Sequence, residues 1–333
     1  MRIILDAMGS DDHPMPEVQA AVEAYQRWGE PVILTGPEPE LSRLVQDAGG
    51  KAGQVEIVHA PEVLEMTDKP ARAARGKAQN SMAVGMDLLK EGKADAFVTA
   101  GNTGGAMATA LFRLGRIRGV KRPALAIGIP VQNGHAIILD IGANTECRPE
   151  YLVQFAILGS TYAELVFEIQ NPRVGLLSNG EEAGKGNILV KETYPLLLNS
   201  GLNFIGNVEP KEVFAGGIDV VVTDGFSGNI FIKTSETIPK FLFDIIKTEI
   251  RATPLTSVGA LLAKPAFQRV RELLDPSEYG AGPLLGVNGL VFIGHGRSNS
   301  KALVSAIRVA RQAVKGDVLS ATHTALKDKL NSE

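Results

Sequence analysis

Aromatic residues make up only 5% of this 333-residue chain, and a single cysteine, Cys147, is present. Few aromatics leave little material for the stacking platforms that hold single-stranded nucleic acid. Charge of one sign is lacking too: 34 Lys and Arg face 37 Asp and Glu, a net −3. Nothing pulls the chain toward a phosphate polymer at long range, so nucleic acid is not an expected partner and any anion must be held by a local site. One cysteine excludes an internal disulfide and fits a reducing, cytoplasmic setting. The longest uncharged runs fall short of the ~20 apolar residues that span a bilayer. Ile3, Ile4 and Leu5, stopped by Asp6, read as a first strand rather than a signal peptide.

Several catalytic signatures are also missing. The five histidines (His13, His59, His135, His295 and His323) are scattered without metal-ligand spacing, so no metal is expected. No Gly-x-Ser-x-Gly elbow marks a serine nucleophile. The stretch Gly180–Lys185 differs from a P-loop: its glycines are too close, and Gly186 takes the place of the required Ser or Thr. The turn 294–299 follows a strand and opens a helix, but it lacks the third glycine of a dinucleotide fingerprint. No cofactor is expected.

What is present is an alternation of strands and helices. Short apolar runs such as Ile137-Ile138-Leu139 and Val220-Val221-Val222 predict strands buried on both faces, hence a largely parallel sheet covered by helices. Other strands are predicted at 2–6, 32–35, 55–59, 96–99, 124–130, 174–178, 203–206 and 290–294. Helices are predicted at 17–28, at 151–170 before Pro172, and as one long amphipathic segment over 298–327. This order points to a doubly wound or related three-layer α/β sandwich. Residues 235–276 carry no strand and mix Phe241, Leu242, Ile245, Leu261 and Leu262 with Lys240, Lys247, Arg251 and Lys264. They read as a projecting helical hairpin, cut into short pieces by Pro254 and Pro265. Its apolar and basic faces suit packing on its own domain, on a second subunit or on an anionic membrane surface.

Ligands of open α/β sheets sit beyond the carboxyl ends of the strands. Six such ends here lead into Gly- and Asn-rich turns, starting at Asp6, Ala100, Asp140, Ser178, Thr223 and Gly294. Glycine lets backbone N–H groups approach a ligand, asparagine adds a carboxamide, and a helix start favours an anion. Together the turns predict a phosphate pocket.

These motifs resemble those of the phosphate acyltransferase family over nearly the whole chain. The resemblance rests on TAGNTGG at 99–105, LDIGANTECRPEYLVQFAILG at 139–159 and GEEAGKGN at 180–187. It continues through FIGNVE at 204–209, DGFSGNIFIKTSE at 224–236 and YGAGPLLGVNGLVFIGHGRSN at 279–299. Ser10 departs from it, standing where the family's opening motif has a second glycine. The resemblance implies a three-layer α/β/α sandwich like those of phosphate acetyltransferases and isocitrate dehydrogenases. It implies a single α/β catalytic domain over 1–333, with 235–276 as a helical hairpin insertion for dimer or membrane contact. It further implies transfer of a long-chain acyl group from acyl-acyl carrier protein to inorganic phosphate, without metal or cofactor. The setting would be a cytoplasmic homodimer loosely held at the membrane, with the acyl phosphate passed to glycerol-3-phosphate acylation by a downstream acyltransferase.

Phosphate is already an ionised nucleophile, and a thiolate leaves readily, so such a site needs a cradle, alignment and oxyanion donors more than a base. On that demand Lys185 is expected to hold phosphate and Asn229 to donate to phosphate or the oxyanion. His295 either protonates the departing thiolate or bonds a loop. Gly101, Asn102, Thr103 and Gly104 are expected to cradle phosphate, with Asn144, Asn179 and Gly228 beside them. Cys147 would permit a covalent route, although no histidine neighbour is identifiable in the sequence. Arg113, Arg116, Arg118, Lys121 and Arg122 form a basic cluster that either docks the acidic carrier or is a solvated face. Two other activities compete: the same transfer from acyl-coenzyme A, and non-catalytic binding of acyl chains or lipid surfaces.

Overall fold

The computed structural model describes residues 1–132 and 134–330. Its strands are β1 (Ile3–Asp6), β2 (Val32–Gly36), β3 (Val55–His59), β4 (Ala96–Thr99), β5 (Ala124–Val131) and β6 (Gly134–Leu139). They continue as β7 (Val174–Leu177), β8 (Phe204–Val208), β9 (Val220–Val222), β10 (Ala281–Leu285) and β11 (Val291–Gly294). All lie in one sheet of order β3-β2-β1-β4-β11-β10-β5-β6-β9-β7-β8. The two wings are parallel, while β10 runs antiparallel to both β11 and β5, and β5 and β6 form an antiparallel pair. The expectation of a largely parallel sheet holds, with an antiparallel patch at its centre.

Twelve helices accompany the sheet among the described residues: α1 (Met15–Trp28), α2 (Glu38–Asp47), α3 (Pro70–Gly76), α4 (Ser81–Lys90), α5 (Thr103–Arg113) and α6 (Pro149–Val166). The rest are α7 (Ile188–Leu198), α8 (Pro210–Phe214), α9 (Gly225–Arg251), α10 (Pro254–Leu273), α11 (Ser300–Lys315) and α12 (Val318–Leu330). The two-residue period of the strands sends alternate side chains to opposite layers. Ile3 and Leu5 join a core with α1, α6 and α11, whereas Ile4 joins a second core with α4 and α5. Ile138 and Val221 meet α8 and α9 in a third. The result is a three-layer α/β/α sandwich.

Three differences from the predicted elements have local causes. Strand β10 was not predicted because Gly282 and Pro283 interrupt its apolar run. Gly282 is needed there, since a side chain would overlap the Ala126 carbonyl oxygen across the strand pair. The helix predicted over 298–327 is two helices, because Asp317 adopts a left-handed φ of 49° and turns the chain after Gly316. The helix predicted to end at Gln170 stops at Val166, and Glu168 and Asn171 follow with φ of 56° and 50°.

The hairpin is built of two long helices, not short pieces. Helix α9 runs through Pro239, and α10 runs through Pro265. The break falls between them, where Thr253 caps α10 by accepting from the Thr256 N–H and Pro254 begins it. No residue of α10 is buried, and of α9 only Gly225, Gly228 and Ile232 are.

Candidate active site

The first turn of α9 organises the site. Asp224 caps the helix, accepting from the N–H groups of Phe226 at 3.0 Å and Ser227 at 2.9 Å. The Gly225 N–H donates to the Asn144 carbonyl at 2.8 Å, which joins this helix start to the turn after β6. That turn is gathered around the Asp140 carboxylate. It accepts from the N–H groups of Leu125, Gly142, Ala143 and Asn144 at 3.1, 3.2, 3.0 and 2.6 Å, and from the Asn144 side chain at 2.9 Å. Burial pushes the Asp140 carboxyl above its ordinary pKa, against the pull of those donors. The same Asn144 side-chain amide donates to the Pro123 carbonyl at 2.7 Å, so both bonds of this side chain brace the loop. Gly228 lets α9 approach: a methyl group there would overlap the Asp140 carbonyl oxygen.

One face of α9 looks into a cleft of about 210 Å³ lined by Thr103, Gly142, Asn229, Lys233, Glu236, Tyr279 and His295. Asn229 donates to the Ile141 carbonyl at 2.9 Å, which fixes its carboxamide at the cleft wall. Two turns further along the same face, Glu236 lies 3.7 Å from His295 Nε2 and 3.7 Å from an Arg297 guanidinium nitrogen. The His295 imidazole beside Glu236 is the main influence holding this carboxyl below the usual carboxylate range. Thr103 opens α5, whose first N–H groups favour an anion. The cleft thus joins a helix start, a carboxamide, a lysine and a carboxylate–imidazole pair.

The other face of the same helix lines a groove of about 850 Å³, with Ser178, Asn179 and Asn187 at its polar end and Val190, Phe214, Ile230 and Ile238 along it. Asn179 accepts from the Gly186 N–H at 3.0 Å and holds the glycine-rich loop closed on itself. Lys185 is exposed on that loop, its side chain folded against Gly180. The structure therefore brings Thr103, Asn229 and His295 together, while Lys185 and Asn179 stand on the far side of α9.

Three residues of the 101–104 turn are occupied in building it. The Gly101 N–H donates to the Thr99 hydroxyl at 2.9 Å. Asn102 caps α5, accepting from Gly105 N–H at 2.9 Å and donating to the Met66 carbonyl at 2.9 Å. Gly104 gives room to Pro70. The Ser10 turn is likewise structural: its N–H donates to the buried Glu17 carboxyl at 2.9 Å. In the basic cluster Arg113 pairs with Asp87 at 2.8 Å and Arg116 donates to the Lys121 carbonyl, while Arg118, Lys121 and Arg122 are exposed.

Cys147 donates to the Asn144 carbonyl at 3.5 Å, and burial, aided by the Asp140 charge, pushes its thiol up to about 12. It holds almost no thiolate near neutral pH, and the thiolate is the nucleophilic form.

Sequence reasoning missed Lys233 and Glu236. The signal was available, since Asn229, Lys233 and Glu236 recur at i, i+4 and i+7 and so share a helix face. It was hidden by starting the helix at Ser235 rather than at Gly225.

Strand-end turns that meet at a helix start, with an activated side-chain nucleophile missing from among them, define a group-transfer scaffold whose substrates bring the reacting atoms. The chain matches, over residues 1–321, a family model described as fatty acid synthesis protein. It is 49% identical over 320 residues to a phosphate acyltransferase of Dictyoglomus turgidum, covering 96% of this chain and 95% of that one. It is 46% identical over 321 residues to that of Elusimicrobium minutum, covering 96% and 94%. The chain belongs to the phosphate acyltransferase family and is an acyltransferase. A likeness of fold alone extends to the EutD phosphotransacetylase from Staphylococcus aureus, at a TM-score of 0.60 and 18% identity over 95% of this chain and 94% of that one. It extends also to 4-hydroxythreonine-4-phosphate dehydrogenase from Klebsiella pneumoniae, at 0.55 and 13% identity over 94% and 99%.

Proposed function

We propose that this acyltransferase moves a long-chain acyl group from the thioester of acyl carrier protein to inorganic phosphate, giving acyl phosphate for phospholipid synthesis. The observation that carries the reading is the cleft where α5 begins beside Asn229 and His295, with Cys147 held as a neutral thiol outside its lining. Such a site favours direct attack by a bound anion over a covalent intermediate. A phosphate oxygen attacks the thioester carbon, Asn229 donates to the developing oxyanion, the C–S bond breaks, and His295 gives its proton to the sulfur. Thr103 and the α5 N-terminus, with Gly101, Asn102 and Gly104 shaping the turn, hold phosphate. Asn144 and Gly228 keep α9 in register. The apolar groove on the far side of α9, with Asn179 at its polar end, has at about 850 Å³ a volume that suits a fatty acyl chain. Lys233, which lines the cleft with Thr103, is the cation beside the phosphate, and Lys185, expected in that role, sits across α9 on the loop at the polar end of the groove.

The setting is cytoplasmic. The apolar hairpin is proposed to meet a second copy of the chain, a membrane surface, or both, where glycerol-3-phosphate acylation would consume the product. Among the described residues no helix is long and apolar enough to cross a membrane.

The test supplies phosphate with long-chain acyl carrier protein, long-chain acyl-coenzyme A or acetyl-coenzyme A, and follows free thiol and acyl phosphate. Phosphate-dependent thiol release should be fastest from the acyl carrier protein. Equal kcat/KM with acetyl-coenzyme A would sink the donor assignment, and acyl binding without thiol release would sink the reaction. Asn229→Ala should lower kcat by about 10²–10³. Lys233→Ala should raise the phosphate KM about tenfold; a rise in Lys185→Ala instead would move the phosphate to the groove side of α9.

A further inference from the structure

The reading above uses one member of a cluster that has five. Around His295 stand Glu236 and Lys233 from α9, Arg297 from its own turn, and Tyr279 from the segment before β10. Asp11 of the first turn lies beside the neighbouring Gly296, and Lys240 acts on Glu236 from one turn further along α9. Of the charged side chains in direct pairs here, Glu236 is the sheltered one: it is 15% exposed, against 54% for His295 and 65% for Arg297. A carboxylate is costly to shelter without cationic partners, and this one has two at 3.7 Å.

We propose that Glu236 is the positioning residue for thiolate protonation: facing Nε2, it orients the His295 ring so that Nδ1 delivers the proton to the departing sulfur. The inference rests on the acyl-to-phosphate reading. In the step itself the phosphate oxygen forms the C–O bond, the C–S electron pair leaves on sulfur, and sulfur takes the Nδ1 proton. The imidazole, left neutral, regains a proton from water after the thiol departs. Glu236 acts through the imidazole: it fixes which nitrogen faces the cleft, as the carboxylate partner of a catalytic histidine does. Arg297 on the second carboxylate oxygen keeps Glu236 ionised and stops it rotating away. Lys233, a turn earlier on the same helix face, supplies positive charge to the anion side of the cleft.

The proposal has readouts that a merely structural role would not move. In Glu236→Gln, which keeps the shape and removes the charge, kcat with the acyl carrier protein thioester should drop roughly ten- to a hundredfold with the phosphate KM within about twofold. Glu236→Asp, which restores the charge, should recover most of that loss. An acyl-thiophenol donor, whose thiolate leaves without a proton, should lose far less in both Glu236→Gln and His295→Asn. Equal losses with the two donors, or an unchanged kcat in folded Glu236→Gln, would overturn the pairing. A protein that releases no thiol from any donor would overturn the protonation role and the reaction together, leaving only a structural ion pair.

Discussion

At the scale of single residues, buried carboxyls do different work in different turns. Glu17 is fully buried in α1; one of its oxygens accepts from the Ser10 N–H and the other has no partner. Burial pushes its pKa from an ordinary 4.5 to about 7. An acid with a raised folded pKa binds more protons folded than unfolded between those two values. Its contribution to stability is therefore complete below about pH 4.5 and is lost as pH rises toward 7, to the extent of about 3 kcal/mol. Glu17→Gln should remove this part of the pH dependence, so that its melting temperature exceeds that of the unaltered protein at pH 8 and matches it near pH 5. Thermal scans at the two pH values check this, and parallel behaviour of both proteins would count against a buried neutral carboxyl. None of this was legible in the sequence, where Glu17 is one acidic residue among many near a helix start. The Ser10 departure was visible, but the carboxyl that its backbone meets was not.

At the scale of elements, α9 depends on how closely it meets the turn after β6. Gly228→Ala would drive a methyl group into the Asp140 carbonyl, and the helix start would have to shift. We predict a loss of about 1–3 kcal/mol in stability and a larger relative loss of activity, because Asn229 shifts with the helix. Gly259→Ala in α10 is the matched control: nothing lies within 4 Å of its added carbon, so the alanine should be neutral or stabilise by up to about 1 kcal/mol. Denaturant unfolding beside thiol release separates the two effects. Equal behaviour of both variants would refute the close-approach argument. Elements carried by continuous apolar runs, such as β6 and β9, were readable from their residues alone. Strand β10 was not, because Gly282 and Pro283 are strand-breaking by propensity and only its neighbour across the sheet explains them. The 298–327 segment misled in the opposite way: Leu303, Ile307, Ala310 and Val314 keep helical spacing right up to the turn at Asp317, and Val318 resumes it. The six Gly- and Asn-rich turns were readable as a set. Which of them share a cleft depends on strand order, and that is a long-range property no local pattern carries.

At the scale of the whole molecule, the hairpin is the most apolar exposed feature. Leu255, Leu261 and Leu262 are 82%, 70% and 80% exposed, and Phe241 and Leu273 lie open along the same pair of helices. Exposed apolar side chains gathered on one pair of helices support the proposed contact role. A Leu255→Asp, Leu262→Asp double variant should stay folded by circular dichroism. It should lose self-association in light scattering, pelleting with anionic lipid vesicles, or both. A variant that retained both properties unchanged would remove the hairpin from either role.

Helix α9 carries this surface and the cleft on one rod. Its 27 residues give a length of about 40 Å, and Glu236 lies roughly two fifths of the way from the anchored end to the tip. The rod is a lever with its fulcrum at Gly225 and Gly228. A tilt that displaces the tip by about 3 Å displaces Glu236 by only about 1 Å, yet about 1 Å is the scale on which catalytic geometry is won or lost. On the proposed reading, a partner held at the far end would shift Glu236 and, more weakly, Asn229, with mechanical reduction built into the length of the helix.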